Sequence, residues 1–240
     1  MTFILIHGSF HDGEAWSEVA AQLRSQGHHV HTPTVAGHGH GARVDTTHDL
    51  AAQSVVEYIE SNELTQFVLV GHSSGGITIC KVAEKVSTRV RRMVFFSAFV
   101  PASGESLLDN MPPEARALFG ALAAQSEDNT VSLPFPVWRE LFMNDAPHDL
   151  ASATWTRLSP DPYGKATEPV DLTTFYELSI PRSYLLASED TALPPGSWWW
   201  HPRMSSRLDP YRFHQMPGGH ELMFTNPQAL ANKLIEAGQD

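Results

Sequence analysis

Ser73 lies in the pattern G-x-S-x-G, between Gly71 and Gly75. The apolar run 67–70 before it predicts a buried strand, and the apolar spacing over 77–86 predicts a helix. A serine at the tip of so tight a turn adopts a strained positive φ, at about 1–3 kcal/mol, and requires small residues on either side. Its hydroxyl then stands above the sheet, where it can act as a nucleophile. The alternative is a Gly/Ser-rich loop with no catalytic role. It is disfavoured because the strand pattern, the motif and the helix pattern follow one another in the order that this turn requires.

An acid that could orient a catalytic base follows another strand pattern. Residues 183–187 form a buried apolar run that ends in Ser188-Glu189-Asp190. A carboxylate at the carboxyl end of a strand is where a histidine-orienting acid belongs. We favour Asp190 over Glu189, and the local argument between them is the alternation of side chains along an extended chain.

His220 is the candidate base among the 13 histidines of the chain. It follows the last strand pattern, 211–216, in a Gly-Gly loop from which an imidazole could reach back to Ser73. His214 lies inside that strand pattern and is assigned a structural role. We therefore predict Ser73 as nucleophile, Asp190 as orienting acid and His220 as general base.

Two backbone amides are candidates to stabilise an oxyanion. The amide of Ser74 lies at the amino end of the helix after the motif, where backbone N–H groups point outward. Gly8 follows the strand pattern 3–6 and lets the backbone approach a ligand. We assign the amide of Ser9 as the second donor, with an ordinary turn over residues 7–10 as the alternative.

The composition changes between residues 101 and 181, where prolines multiply and helical segments are short. This change predicts a cap inserted into a core formed by residues 1–100 and 182–240. Individually the aromatic residues of the cap are expected to hold it together, but as a group they favour an apolar or aromatic substrate. The residues predicted to contact the substrate are Phe10, His72, Trp138, Phe142 and Trp155.

Histidines recur at alternate positions of the loop 35–41, with three more at 28, 29 and 31. A metal site is one interpretation of this cluster. Neither cysteine nor carboxylate joins it at ligand spacing, and glycine-rich surface loops often carry histidine. We therefore predict no metal and no organic cofactor.

Apolar runs recur along the chain and predict about six strands separated by helices, which indicates an α/β fold. The runs are continuous rather than alternating, as in parallel sheets covered on both faces. Thr46-x-x-Asp49 predicts a capped helix through about Glu60, and Trp198 to Trp200 is expected to be helical. The predicted strands lie at 3–6, 30–33, 67–70, 93–97, 183–187 and 211–216.

Length and charge exclude several classes of function. A chain of 240 residues suits one domain with an insertion, and a formal charge of −11 disfavours nucleic acid and anionic membranes as partners. No stretch approaches the ~20 apolar residues of a membrane span, and the start of the sequence has no basic leader. The single cysteine, Cys80, allows no intramolecular disulfide, so we expect a cytoplasmic protein.

Together these motifs resemble the α/β-hydrolase superfamily, and within it the branch of plant methylesterases, hydroxynitrile lyases and bacterial esterase relatives. The resemblance covers nearly the whole chain. It is carried by the opening 3–13 with Trp16, the elbow 71–76, Glu189-Asp190 with Pro194, and Gly219-His220 before Asn226-Pro227. It implies an α/β-hydrolase fold and the roles already given to Ser73, Asp190, His220, Ser9 and Ser74. Members of this branch often form dimers, so a homodimer is a further expectation.

Two positions separate the hydrolases of this branch from its lyases. The lyases resemble one another in a threonine where this chain has Gly8, and in a lysine where it has Glu221. A carboxylate beside His220 opposes a departing anion and favours the protonated imidazole. We therefore expect hydrolysis of a small-molecule ester with an apolar or aromatic acyl group.

Three alternatives to plain ester hydrolysis stay open at this point. The same triad could serve a lyase or a biosynthetic reaction, such as lactone opening, cyclisation or demethylation with decarboxylation. The resemblance also includes cofactor-free dioxygenases, in which the His-Asp pair acts as base. A non-catalytic, receptor-like ligand-binding protein is the third alternative, and the complete triad argues against it.

Overall fold

The computed structural model describes residues 1–239. Helices and strands alternate along most of this range, as the apolar pattern predicts. The strands are β1 (Thr2–Ile6), β2 (His29–His31), β3 (Phe67–His72), β4 (Val90–Phe96), β5 (Thr130–Val131), β6 (Asp161–Pro162), β7 (Arg182–Ala187) and β8 (Arg212–Met216). The α-helices are α1 (Ser17–Ser25), α2 (His48–Ser61), α3 (Gly75–Val86), α4 (Pro113–Ala124), α5 (Phe135–Val137), α6 (His148–Trp155), α7 (Tyr163–Thr167), α8 (Thr173–Glu177), α9 (Trp200–Arg203), α10 (Leu222–Thr225) and α11 (Pro227–Ala237).

Six of the strands form one sheet in the order β2-β1-β3-β4-β7-β8. Every neighbouring pair in this sheet runs parallel. The prediction of an α/β fold with about six mainly parallel strands is therefore confirmed.

Helices cover both faces of the sheet, which is why its strands are apolar throughout. Along β1, Phe3 and Leu5 belong to the apolar cluster that α1 and α11 complete. Ile4 and Ile6 point the other way, into the cluster formed with α2 and α3. Burial of such side chains stabilises the fold by about 25 cal/mol per Å² of apolar surface. No helix within residues 1–239 is both long and apolar enough to cross a membrane.

The strand order reverses between β1 and β3. The chain forms β2 on one side of β1 and then returns to form β3 on the other, where Ile6 pairs with Gly71. In open α/β sheets, ligands bind beyond the carboxyl ends of the strands at such a switch point. Ser9, after β1, and Ser73, after β3, therefore emerge side by side at the expected place.

Residues 101–181 contribute no strand to the six-stranded sheet. They contain α4 to α8, a π-helical turn over Trp138–Phe142 and a small antiparallel pair in which Val131 faces Asp161. Buried side chains of this segment, such as Phe119 and Phe175, join the apolar cluster of the α3 side. The segment therefore packs directly on the sheet and its helices and has no apolar core of its own.

Two local predictions are wrong. The N-cap of α2 is Thr47 rather than Thr46, because Thr47 Oγ1 accepts a hydrogen bond of 3.1 Å from the Leu50 amide. The helix expected over Trp198 to Trp200 begins only at Trp200, because Trp199 has an extended backbone. In both cases adjacent residues are of the same type, so the sequence does not determine at which of them the helix begins.

We predict that Gly75→Ala lowers the free energy of unfolding by about 1–3 kcal/mol, as overpacking of a close contact does. A Cβ at Gly75 would lie 2.6 Å from the His7 carbonyl oxygen, and that backbone atom belongs to the rigid end of β1. The measurement is equilibrium unfolding in urea.

Gly164→Ala is the matched control, because the nearest atom to a Cβ there is Asn129 Nδ2 at 4.0 Å. Gly164 lies in α7, where alanine has the higher helix propensity by up to about 1 kcal/mol. Equal stability of the two variants would contradict the close packing of the elbow.

Candidate active site

Ser73 forms the sharp turn between β3 and α3 and has a φ of 53°. Its amide donates to the Phe96 carbonyl at 3.3 Å, and its carbonyl accepts from the Phe99 amide at 3.0 Å. A positive φ in a residue other than glycine persists only where the surroundings over-determine it. The backbone strain expected from the sequence is therefore present, and it is held by contacts to β4 and the loop that follows.

Glycines around Ser73 allow three backbone segments to meet. A Cβ at Gly71 would lie 2.7 Å from the Gly75 carbonyl oxygen, and a Cβ at Gly8 would lie 2.8 Å from Ser73 Cβ. Real Cβ atoms do not approach so closely without displacement of the neighbour. The small residues are therefore required to bring the loop after β1 against the turn that carries Ser73.

Ser9 and Ser74 lie together beside this turn, joined by a hydrogen bond of 3.0 Å from Ser9 Oγ to Ser74 Oγ. Within residues 1–239 neither backbone amide donates a hydrogen bond. Ser74 is also the N-cap of α3, so its amide lies at the positive end of the helix dipole. Two unpaired donors next to a nucleophile suit an oxyanion.

His7 holds the loop that carries Ser9. Its Nδ1 donates to the Gly8 carbonyl at 2.9 Å, and its Nε2 accepts from the Val35 amide at 3.1 Å. Burial lowers the pKa of His7 to about 3, so the ring is neutral near pH 7. Because only one tautomer makes both hydrogen bonds, the imidazole fixes the backbone just before the proposed oxyanion donor.

Phe10 ends this loop in a left-handed conformation with a φ of 67°, and residues of the 101–181 segment hold it there. Its carbonyl accepts from the Ser159 amide at 2.9 Å, and its amide faces Asp161 Oδ1 at 3.5 Å. Asp161 Oδ1 lies 3.3 Å from His38 Nδ1, and buried Lys165 donates to His38 Nε2. His38, from the histidine-rich loop, thus belongs to a buried polar network.

His220 and Asp190 follow the adjacent strands β8 and β7 and form a buried pair. His220 Nδ1 donates to Asp190 Oδ2 at 2.7 Å, and the two side chains are 1% and 0% exposed. The other carboxylate oxygen accepts from the Ala192 amide at 2.9 Å. The carboxylate is therefore held in place while it orients the imidazole, as an orienting acid requires.

Two side chains that the sequence analysis missed hold the loops of this pair. The Gly219 amide donates to Asp145 Oδ2 at 2.9 Å, and Asn144 Nδ2 donates to the Glu189 carbonyl at 2.9 Å. An Asn-Asp pair in a proline-rich segment carries no sequence signal for such a role. The 101–181 segment therefore positions the loops of His220 and Asp190 as well as the loop of Ser9.

A second buried carboxylate lies next to His220. Glu221 is 2% exposed and pairs with His11 at 3.2 Å. Burial raises the pKa of Glu221, but the surrounding histidines outweigh it and the net pKa falls to about 2. For His220 burial acts in the opposite direction and lowers the pKa. The negative charges of Asp190 and then Glu221 outweigh this effect, so the net pKa of His220 is raised. The site therefore favours a protonated His220.

A small pocket of about 30 Å³ opens beside Ser73, and Ser9, Phe10 and Phe142 line it as well. Phe142 also packs edge-on against the His220 ring at 5.5 Å. Within residues 1–239 no hydrogen bond joins Ser73 Oγ to His220, a looser geometry that is common in enzymes without bound substrate. Ser73 therefore lines an apolar pocket whose Phe142 and Trp200 also contact the His220 ring.

Three predicted substrate contacts lie away from the pocket wall. His72 is fully buried, and its Nε2 donates to the His220 carbonyl at 3.1 Å. Trp138 is also fully buried and stacks behind Phe142 at 5.7 Å. Trp155 is 37% exposed and donates to the Leu133 carbonyl at 2.8 Å, beside a different surface cavity. None of the three lines the pocket beside Ser73, and a substrate contact for each stays a prediction.

Several residues that line the pocket were not predicted. Trp200 is the clearest case, because its ring stacks on His220 at 5.4 Å with an interplanar angle of 12°. The tryptophan run is a visible signal in the sequence, but its pattern predicts only a helix. The aliphatic residues of the pocket wall show no sequence pattern that distinguishes them from core residues. The unpredicted lining residues are Phe99, Leu107, Met111, Phe119, Ala192, Leu193 and Trp200.

We predict that His7 makes the folded protein less stable in acid. Burial holds its folded pKa at about 3, below the ordinary value of 6.5, so the unfolded chain binds an additional proton between these values. The stabilisation is complete above pH 6.5 and is lost as the pH falls towards 3, with a slope of about 1.4 kcal/mol per pH unit.

The measurement is the free energy of unfolding in urea at pH 7.5, 6.0 and 5.0. His7→Gln should reduce the slope by about one proton. His29→Gln is the control, because His29 is exposed. An unchanged slope in the His7 variant would contradict the neutral, doubly bonded imidazole.

A family profile described as the alpha/beta hydrolase family matches residues 3–233 of the chain. A carbendazim hydrolyzing esterase from Nocardioides sp. (strain SG-4G) is 32% identical, over 98% of this chain and 99% of the relative. Putative methylesterase 13, chloroplastic, from Arabidopsis thaliana is 27% identical over 99% of this chain, which spans 56% of that relative.

A solved structure extends the likeness to the whole fold. An extracellular alpha/beta-hydrolase from a Paenibacillus species superimposes with a TM-score of 0.97 and 42% identity over 100% of both chains. That protein is described as sharing structural and functional homology with tobacco salicylic acid binding protein 2. It is extracellular, so a cytoplasmic location for this chain stays a prediction. The chain belongs to the alpha/beta hydrolase family, in the branch with the methylesterases and bacterial esterases, and is a carboxylic ester hydrolase.

Proposed function

We propose that this hydrolase cleaves esters of apolar or aromatic acids in the manner of a methylesterase, with Ser73, His220 and Asp190 as its catalytic triad. The observation that carries the proposal is that the strained Ser73 lines an apolar pocket whose Phe142 and Trp200 contact the His220 ring of the buried His220–Asp190 pair. A serine nucleophile, a histidine base and an orienting acid are the groups that acyl transfer of this kind requires.

In the first half of the reaction, Ser73 Oγ attacks the ester carbonyl while His220 Nε2 accepts the hydroxyl proton. The negative charge on the carbonyl oxygen is stabilised by the amides of Ser9 and Ser74, by about 2.7–4 kcal/mol per donor in comparable sites. The carbon–oxygen bond to the alcohol then breaks. His220 returns its proton to the departing oxygen, and the acid remains as an ester of Ser73.

In the second half, a water molecule takes the place of the alcohol. His220 accepts one proton of the water as its oxygen attacks the acyl carbon, and the same two amides receive the charge again. The bond to Ser73 breaks, and Ser73 Oγ regains the proton from His220. The products are a carboxylic acid and a free enzyme, with no metal or organic cofactor in the scheme.

The charge next to His220 supports hydrolysis over lyase chemistry with the same triad. Glu221 is buried and its pKa of about 2 keeps it anionic near pH 7. A lyase of this branch must stabilise a departing anion, which a neighbouring carboxylate opposes. A neutral alcohol leaves without that repulsion because His220 protonates it.

The preference for an apolar acyl group is supported by the pocket. Its wall is formed mainly by Phe10, Phe99, Phe119, Phe142 and Trp200, and pockets lined in this way bind apolar groups. Relatives include a carbendazim hydrolyzing esterase and a pyrethroid hydrolase from Sphingobium wenxiniae. We extend to this chain only the shared chemistry of those names, an ester or related acyl compound with large apolar groups.

We predict that Ser73→Ala and His220→Ala each lower kcat/KM by about three or more decades, because removal of a triad member has effects of that size. The measurement uses a short-chain aryl ester and a panel of aromatic methyl esters. His214→Ala is the matched control, since this histidine lies on β8 and pairs with Glu236 at the surface.

A serine-reactive phosphonate separates the possible outcomes. The wild-type protein could be labelled at Ser73 and still hydrolyse no ester of the panel. That result would support Ser73 as a nucleophile and reject this substrate class. Neither turnover nor labelling would reject the esterase proposal in favour of ligand binding without catalysis.

We predict that Glu221→Gln moves the rising limb of the pH profile of kcat/KM to lower pH. The reaction needs neutral His220, and the Glu221 carboxylate helps to raise the pKa of that imidazole. Loss of the negative charge lowers this pKa, so the base form is present at lower pH. The control is Glu236→Gln, whose side chain is 54% exposed. An unmoved limb, or one moved to higher pH, would contradict the electrostatic role of Glu221.

A further inference from the structure

The pocket beside Ser73 lies next to a larger apolar groove. The inner pocket has a volume of about 30 Å³ and the groove about 370 Å³. Met111, Phe119, Phe142 and Ala192 line both spaces, so the pocket and the groove are adjacent.

The inner volume limits what can lie next to the nucleophile. On the same measure, the inner pocket has less than a tenth of the volume of the groove. An ester has two arms, the acyl chain and the alcohol, on either side of the carbonyl carbon that Ser73 attacks. Only a small group fits the inner pocket, so any larger arm must extend outward.

The chemistry of the groove suits an apolar arm. Its wall contains aliphatic side chains of α4 and of the loop after β7, and Glu114 is its one charged member within the described residues. Leu141, in the wall, is 39% exposed. Large apolar side chains that line an open groove typically mark a binding surface. The residues that line the groove but not the inner pocket include Ala115, Leu118, Val137, Leu141 and Pro194.

We propose that this outer groove binds the larger apolar arm of the ester, while the smaller arm lies in the pocket beside Ser73. The proposal rests on the proposed ester hydrolysis and specifies its substrate, an ester with one small and one long or bulky apolar arm. The occupant is inferred from the position of the groove next to the pocket, with four lining residues in common, and from its apolar wall.

The proposal predicts a dependence on chain length. Each methylene group that enters the groove should raise kcat/KM by about fourfold, the effect expected for burial of one CH₂. Two ester series show which arm the groove receives. Methyl esters of butyric, hexanoic and octanoic acids extend the acyl arm, and butyl, hexyl and octyl acetates extend the alcohol arm.

Ala115→Trp tests the groove directly. Ala115 is half-buried on α4 and lines the groove but not the inner pocket, so an indole there should fill the groove. We expect the rise with chain length to disappear while kcat/KM for methyl acetate stays within about twofold. Ala117→Trp is the matched control, because Ala117 is an exposed residue of the same helix.

A second variant covers the case in which Ala115→Trp does not fold. Leu118→Gln makes the same wall polar and should lower kcat/KM for octyl chains at least tenfold more than for methyl acetate. Equal effects on short and long esters, or a chain-length dependence that neither variant changes, would overturn the proposal.

Two further measurements distinguish other outcomes. Binding of 1-octanol and 1-butanol to Ser73→Ala, followed by calorimetry, needs no turnover: octanol should bind at least tenfold more tightly, and Ala115→Trp in the same background should remove the difference. If octanol shows no such preference, the proposed role of the groove is overturned even when the protein is an active esterase. If octanol is preferred but the protein hydrolyses no ester, only the proposed function is rejected. A change of oligomeric state in Ala115→Trp without a chain-length effect would assign the groove to a second copy of the chain.

Discussion

The site depends on the close approach of the β1 loop to the turn at Ser73. This approach is possible because Gly8 and Gly71 carry no side chain where a Cβ would lie under 3 Å from its neighbour. The strained φ of Ser73 is stable because β4 and its following loop hold both sides of the residue. Once these segments are in contact, Ser9 and Ser74 lie together beside Ser73, with their Oγ atoms 3.0 Å apart. A parallel sheet that reverses its order between β1 and β3 is what brings the two turns together.

The segment 101–181 does more than cover this site. Ser159 and Asp161 hold the backbone of Phe10, and Asn144 and Asp145 hold the loops that carry Asp190 and His220. The loops that carry Ser9, Asp190 and His220 are therefore positioned in part by that segment. A substitution in this segment that alters substrate specificity is therefore expected to alter the position of Ser9 as well. The reason is that the hydrogen bonds from Ser159 and Asp161 fix Phe10, which lines the pocket and follows Ser9 directly.

The sequence allowed the fold and the sharp turn at Ser73 to be predicted because their signals are local. The glycines around Ser73 indicate a turn that only small residues permit, and the apolar runs indicate strands that are buried on both faces. Pocket contacts are different, because they depend on the packing of distant segments. Trp155 and Trp138 look like pocket residues in the sequence, but backbone acceptors at Leu133 and Ala151 bind their indole N–H groups elsewhere. Met111 and Leu107 line the pocket without any pattern that distinguishes them from core residues.

The charge distribution gives the proposed reaction a direction. A neutral ester meets an apolar wall and loses little hydration free energy on entry, whereas the carboxylic acid product ionises near neutral pH. Its carboxylate then lies close to Ser73 and His220, and Glu221 is a buried anion beside that imidazole. The two negative charges repel one another in a poorly screened environment, and the net charge of −11 acts in the same sense over longer distances. Substrate binding and product release are therefore favoured by the same arrangement of apolar walls and one buried carboxylate.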